Sequence, residues 1–235
     1  MGHHLHIAHR GYRTGLGDNT LAQIAEAIRL GCDMVEVDVG RRRRTDGELI
    51  LAHDRGPNAR APLLRAALAL CRGAGVPMNL DLKQNGIADQ LVRELNDTGM
   101  VERVALTGGG WEQALWIRHL EPRIRVGLTI PRHHHEWARA LGWTAQRLRR
   151  WAWTSRVDLL LRATHVDLVT VQYRLVTQRL VAQVHRAGGE IWCWTPDDPA
   201  AIARLVAMGV DGITTNVPDP GRAAAAPAHA VRTFA

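Results

Sequence analysis

Aliphatic and β-branched residues gather in eight short runs along the 235 residues, with amphipathic segments between them. Short, nearly continuous apolar runs suit strands buried on both faces, and a helical periodicity between them suits crossover helices. The runs are Leu5 to His9, Met34 to Val39, Pro77 to Lys83, Arg103 to Thr107, Arg125 to Ile130, Asp167 to Gln172, Glu190 to Thr195 and Gly212 to Asn216. Helices are predicted over Asn19 to Leu30, with Asn19 as cap, and over Pro62 to Cys71, with the proline in its first turn. Others are expected at 87–95, 111–120, 175–187 and 199–208, several followed by glycine. Eight strand and helix units without a composition break predict an α/β fold, a single-domain TIM (β/α)8 barrel over residues 1–218. The tail 219–235 is expected to be a last helix or partly disordered.

A ninth strand-like run, Glu48 to His53, needs another place. The turn signal Thr45-Asp46-Gly47 precedes it, so the chain is predicted to pass the barrel rim and fold back as a hairpin. Residues whose numbers sum to about 91 to 93 would then face each other, returning His53 to the level of Asp38 or Gly40.

In such barrels the reacting groups sit at the C-terminal ends of the strands. The first run ends in His9-Arg10-Gly11. Glu36-Val37-Asp38 alternates, so both carboxylates point to one face, and Asn79-Leu80-Asp81-Leu82-Lys83 repeats the pattern. Three carboxylates, Glu36, Asp38 and Asp81, are costly together without a cation, and all-oxygen ligation suits magnesium, calcium or manganese. With a divalent ion bound, Arg10 and Lys83 leave the site net positive, suited to a phosphate ester. His9 and His53 remain as a general acid and base pair. Hydrolysis of a phosphodiester matches that inventory.

Charge agrees with an anionic ligand: 30 Lys and Arg against 23 Asp and Glu give a net +7, and Lys83 is the sole lysine. The arginines are scattered and no nucleic-acid recognition module appears, so no nucleic-acid partner is expected. Runs such as Arg41 to Arg44 and His133 to His135 read as solvated loops. Cys32, Cys71 and Cys193 fit neither a disulfide framework nor a zinc spacing. The first twenty residues lack the apolar region of a secretory signal, and no run reaches the roughly 18 apolar residues of a membrane span. A cytoplasmic location is the expectation.

Taken in order, these pieces resemble the signature of the glycerophosphodiester phosphodiesterase family. His9-Arg10-Gly11 resembles its opening HRG, and Asp18-Asn19-Thr20 resembles its ENT with the acid shortened. Glu36-Val37-Asp38-Val39 is similar to its E-x-D-V, Asp81-Leu82-Lys83 to its E-x-K, and Trp194-Thr195 to its tryptophan on the penultimate strand. Gly209 to Pro218 is similar to its closing GxDGIxTDxP.

The resemblance implies a metal-dependent barrel that splits glycerophosphodiesters into glycerol 3-phosphate and an alcohol. Glu36, Asp38 and Asp81 would hold one divalent ion, Mg2+ or Ca2+ with Mn2+ as a further candidate. Arg10 and Lys83 would contact the phosphate, Trp194 would wall the pocket, and His9 and His53 would share the proton transfers in an order left open. The family can also use the glycerol hydroxyl as internal nucleophile, through a cyclic phosphate. Asn19, Asp54 and Asn216 would support the site, Asp54 by orienting His53.

Three departures stand out. Asp81 replaces the usual glutamate, and Asn216 replaces the aspartate of the closing motif. The family insertion after His53-Asp54 is largely absent, with only Arg55 to Pro62 before the next helix. That shortening and the Asp81-x-Lys83 pair are also similar to the sphingomyelinase D type of phospholipase. A phospholipase D-like enzyme on lysophospholipids or sphingolipids is therefore the second expectation, and a non-catalytic arginine-rich anion-binding barrel the third. The connection 131–166 carries Trp137, Trp143, Trp151 and Trp153 among arginines, and would serve as a lid or a peripheral lipid contact.

Overall fold

The structure is a computed structural model and describes residues 4–42, 47–53, 60–130 and 157–219. Its strands are β1 (Leu5–His9), β2 (Met34–Arg41), β3 (Leu49–Leu51), β4 (Met78–Leu82), β5 (Val104–Gly108), β6 (Arg125–Thr129), β7 (Leu168–Gln172), β8 (Glu190–Trp194) and β9 (Gly212–Thr215). All except β3 run parallel, and β1 pairs with both β9 and β2, which closes an eight-stranded barrel. The helices are α1 (Leu21–Arg29), α2 (Leu64–Ala74), α3 (Ala88–Thr98), α4 (Trp111–Leu120), α5 (Val157–Thr164), α6 (Gln178–Arg186) and α7 (Pro199–Met208). The predicted TIM barrel is thus present.

Period-two alternation divides each strand between two environments. Ile7, Met34, Ala105, Leu168 and Trp192 form a buried apolar cluster of their own inside the barrel. Two residues further along those strands, His9, Glu36, Thr107, Thr170 and Trp194 line a cavity instead. The alternate positions, among them Val35, Val37, Leu80, Val169 and Ile191, join the main core beneath the helices. An apolar plug therefore closes the lower barrel and supports a polar layer above it.

β1 stops with His9 level with Glu36, leaving the far half of β2 without a partner on that edge. β3 takes the edge, antiparallel, with Val39 opposite Leu51, Gly40 opposite Ile50 and Arg41 opposite Leu49. The hairpin is the predicted one, but its register differs. The Arg42 N–H donates to the Glu48 carbonyl at 2.9 Å, and this pairing sets the ladder so that Ala52 lies level with Asp38, donating its N–H to the Asp38 carbonyl at 3.0 Å. His53 follows one residue beyond the predicted level.

Other expectations need adjustment. α1 is capped by Thr20, whose hydroxyl accepts from the Gln23 N–H at 3.2 Å, because Asn19 is turned into the site instead. α2 begins at Leu64, so Pro62 precedes the helix; its carbonyl accepts from the Leu51 N–H at 2.9 Å and ties the connection to β3. The connection 131–166 contains α5, a two-turn helix absent from the predicted elements, towards its C-terminal end. The tryptophans of 137–153, Asp54 and the tail from residue 220 lie outside the described residues. Among the described residues no helix is long and apolar enough to cross a membrane.

Candidate active site

At the end of β1 the chain turns through left-handed backbone at Arg10 (φ 50°) and Gly11 (φ 84°). A Cβ at Gly11 would stand 2.9 Å from the Gln23 carbonyl carbon, backbone of α1 that cannot yield. Glycine is needed there. The turn aims the Arg10 N–H at Glu36 Oε2 (3.0 Å) and brings Arg10 Nε to 2.7 Å from Asp38 Oδ2. The β1–β2 register also brings His9 Nε2 to 4.0 Å from Glu36 Oε2.

Asp38 lies directly beside Asp81 of β4 in the parallel ladder, which lets the shorter acid reach the group. Buried Asn19, held at φ 57°, donates from Nδ2 to Asp38 Oδ2 at 2.8 Å and accepts the Asp38 N–H at 3.0 Å. The Lys83 ammonium is 2.9 Å from Asp38 Oδ1 and also pairs with Asp81 Oδ2. Beyond β5, Gly108 (φ 70°) clears space for this arrangement, since a Cβ there would stand 2.0 Å from Asp81 Oδ1. Both expected phosphate-binding cations are thus engaged with carboxylates.

These contacts separate the acids electrostatically. Burial, then the charges of Asp38 and Asp81, push the Glu36 carboxyl well above the usual carboxylate range. Burial alone would raise Asp38 too, but Lys83, Asn19 and Arg10 outweigh it and hold Asp38 below that range. For Lys83 the same opposition resolves upward: burial lowers it, and Asp81 with Asp38 more than compensates. Burial holds the His9 imidazole below its ordinary value despite its bond to Asn216, so it is neutral near pH 7.

One oxygen each from Glu36, Asp38 and Asp81 lie within 4.8 Å of one another. Oxygen ligands stand about 2.0 to 2.6 Å from Mg2+ or Ca2+, so three atoms this close can share one ion. Asp38 Oδ1 is buried against the Lys83 ammonium at 2.9 Å, and a carboxylate oxygen has a further lone pair to offer a cation. The donor set fits a hard divalent ion.

A cavity of about 660 Å³ opens above the polar layer, and His9, Arg10, Glu36, His53, Asp81, Lys83 and Trp194 all line it. Asp38 and Asn19 lie beneath, bonded to that lining, and Asn216 reaches His9 from the end of β9 through a 2.7 Å bond between Asn216 Oδ1 and His9 Nδ1. The cavity floor is a set of hydroxyls and amides: Thr107 donates to Asn79 Oδ1 and Thr170 to Thr129 Oγ1, both at 3.0 Å.

Sequence reasoning missed this threonine floor, the Gly108-Gly109-Gly110 rim and Asp197, which bonds Asn216. Each carried a signal. The threonines continue the inward period of β5, β6 and β7, the glycines follow a strand end, and Asp197-Asp198 supplies one acid more than the cap of α7 requires.

Known proteins resemble this chain in sequence and fold. Residues 9–60 and 56–220 match the glycerophosphoryl diester phosphodiesterase family. A glycerophosphodiester phosphodiesterase of Caldanaerobacter subterraneus subsp. tengcongensis is 23% identical over 250 residues, covering 91% of this chain and 94% of the relative. The crystal structure of a glycerophosphodiester phosphodiesterase from Parabacteroides distasonis superposes with a TM-score of 0.73 at 18% identity, covering 91% of this chain and 93% of that one. An Oleispira antarctica phosphodiesterase, solved in complex with the product sn-glycerol-3-phosphate, superposes with a TM-score of 0.69 at 18% identity and the same coverage. With the family match running from His9 at the first strand end to the residues beyond the last strand, the chain belongs to the glycerophosphoryl diester phosphodiesterase family.

Proposed function

We propose that the chain hydrolyses glycerophosphodiesters to glycerol 3-phosphate and an alcohol, with His9 and His53 as the proton-transfer pair. The observation that carries this is the convergence of His9, His53 and three clustered carboxylates on one cavity at the C-terminal ends of the strands. His9 is neutral, and its Nδ1 is engaged by Asn216, so Nε2 is the nitrogen directed at the cavity. It takes the proton of the attacking water as that oxygen bonds to phosphorus and stays on the glycerol 3-phosphate product. His53, exposed at the mouth, gives a proton to the departing alcohol oxygen as its bond to phosphorus breaks. Arg10 and Lys83 line the cavity and supply positive charge beside the phosphoryl oxygens.

Glu36, Asp38 and Asp81 would hold a divalent cation, which when bound neutralises phosphoryl charge and favours attack at phosphorus. Trp194 walls the cavity on the β8 side. A lysophospholipid substrate is a second reading, favoured by two exposed apolar side chains that follow strand ends of this face, Leu16 on the loop after β1 and Trp111 opening α4 after β5.

The test is release of glycerol 3-phosphate with Mg2+, Ca2+ or Mn2+ supplied, using glycerophosphocholine beside lysophosphatidylcholine. His9→Ala and His53→Ala are expected to lose about 10²- to 10⁴-fold in kcat while remaining folded. Glu36→Ala is expected to lose its response to added metal. Full activity in both histidine variants would overturn the assignment.

A further inference from the structure

His9 does not hold itself in place. Its Nδ1 meets Asn216 Oδ1 at 2.7 Å, and Asn216 Nδ2 donates to Asp197 Oδ2 at 2.8 Å. Asp197 Oδ1 accepts twice more, from the Asn216 backbone N–H at 2.9 Å and from the Thr215 hydroxyl at 3.2 Å. Its neighbour Asp198 caps α7 through the Ala201 N–H, so the two consecutive acids divide their work: one serves the helix, the other turns to the end of β9.

The chemistry of this chain runs one way. Partial burial raises the Asp197 carboxyl, but the bonds from Asn216 and Thr215 outweigh it, so the group is ionised and can only accept. The Asn216 amide must therefore present its NH2 to Asp197 and its carbonyl oxygen to His9. An oxygen accepts only, so His9 Nδ1 carries the proton and Nε2 carries the lone pair. Without Asp197 the amide has no fixed sense: turned over, its NH2 would face Nδ1 and select the other tautomer, with the proton on Nε2.

We infer that Asp197 is a positioning residue that, through the Asn216 amide, fixes His9 in the tautomer whose Nε2 can accept a proton. Asn216 stands where the closing motif of the family has an aspartate, so the carboxylate that would face His9 directly has moved one hydrogen bond outward. The inference rests on the reading of His9 as the base, but its structural content concerns the tautomer alone.

Two readouts test it on the full chain: long-range 1H–15N NMR of the His9 ring in folded protein, and steady-state kinetics. Asp197→Asn is expected to reduce the Nδ1-protonated fraction of His9 and to lower kcat about 10- to 100-fold with little change in KM. The exchange variant, Asp197→Asn with Asn216→Asp, sets the carboxylate directly against Nδ1 and keeps an amide behind it, and is expected to restore the tautomer and most of kcat. A residue that only buttresses the β9 end would alter stability without moving the His9 spectrum. An unchanged His9 spectrum in Asp197→Asn overturns the inference. If that variant fails to fold, the exchange variant decides, since a folded exchange protein still lacking the Nδ1-protonated form overturns it equally. Full activity in His9→Ala would instead remove the base assignment and leave the tautomer result standing.

Discussion

Glu36 and Asp38 sit two residues apart on one face of one strand, yet the protein treats them in opposite ways. Asp38 is surrounded by Lys83, Arg10 and both ends of the Asn19 amide, and its charge is favoured. Glu36 receives the Arg10 backbone N–H and lies near His9, but burial and two neighbouring acids outweigh these, so its charge is disfavoured. Neighbouring carboxylates with opposed environments take different tasks. One organises the cations of the site, and the other favours its neutral form unless a cation offsets its charge.

The sharpest way to break this comparison is to remove the organiser. Asp38→Ala strips a buried partner from two half-buried cations and from Asn19, and is expected to cost about 3 kcal/mol in urea unfolding. A cost near that of an exposed ion pair would show that Asp38 is no hub. Glu36→Gln keeps the bond from Arg10 and deletes the disfavoured charge, so the metal-free protein should melt higher than wild type near pH 7. The same change should abolish thermal stabilisation by Mg2+ or Ca2+, which for wild type is about 2.7 kcal/mol at a hundredfold excess over Kd. Asn19→Ala leaves a buried carboxylate oxygen and the Asp38 N–H without their partner, a loss of about 1 to 3 kcal/mol. Thr20→Ala, which removes only the cap of α1, should cost about 1 kcal/mol.

The finest test follows the two acids through pH. Asp38 has a depressed folded-state value, so its contribution to stability is full above its unfolded value and is lost as pH falls through the folded one. Glu36 has a raised value, so stability declines as pH rises from its unfolded value through the folded one. In metal-free buffer Glu36→Gln should flatten that decline and leave the acid-side loss intact, read from urea midpoints across pH.

Much of this was legible in the chain because inward positions of a closed barrel repeat every second residue. Glu36, Asp38, Asn79 and Asp81 broke an otherwise apolar alternation, and the lone lysine lay in the same stretch. What escaped depended on contacts between distant segments. Asn19 is expected from the sequence to support the site and to cap α1, but only the approach of the β1–α1 loop to β2 identifies Asp38 as its partner. Asp197 reads as half of an acidic pair before a helix, and only the return of β9 beside β8 reveals its second partner. The hairpin register escaped for a related reason, since it shows only in the backbone pairing of Arg42 with Glu48.

The arm formed by β2 and β3 leaves one histidine mounted differently from the other. His9 is seated on a barrel stave, whereas His53 rides at the end of a cantilever whose reach is fixed by the rungs between Val39 and Leu51. One residue gained or lost between Leu51 and His53 would swing the imidazole out of step with its counterpart. Spacing within two residues of chain thus sets the gap between the two imidazoles.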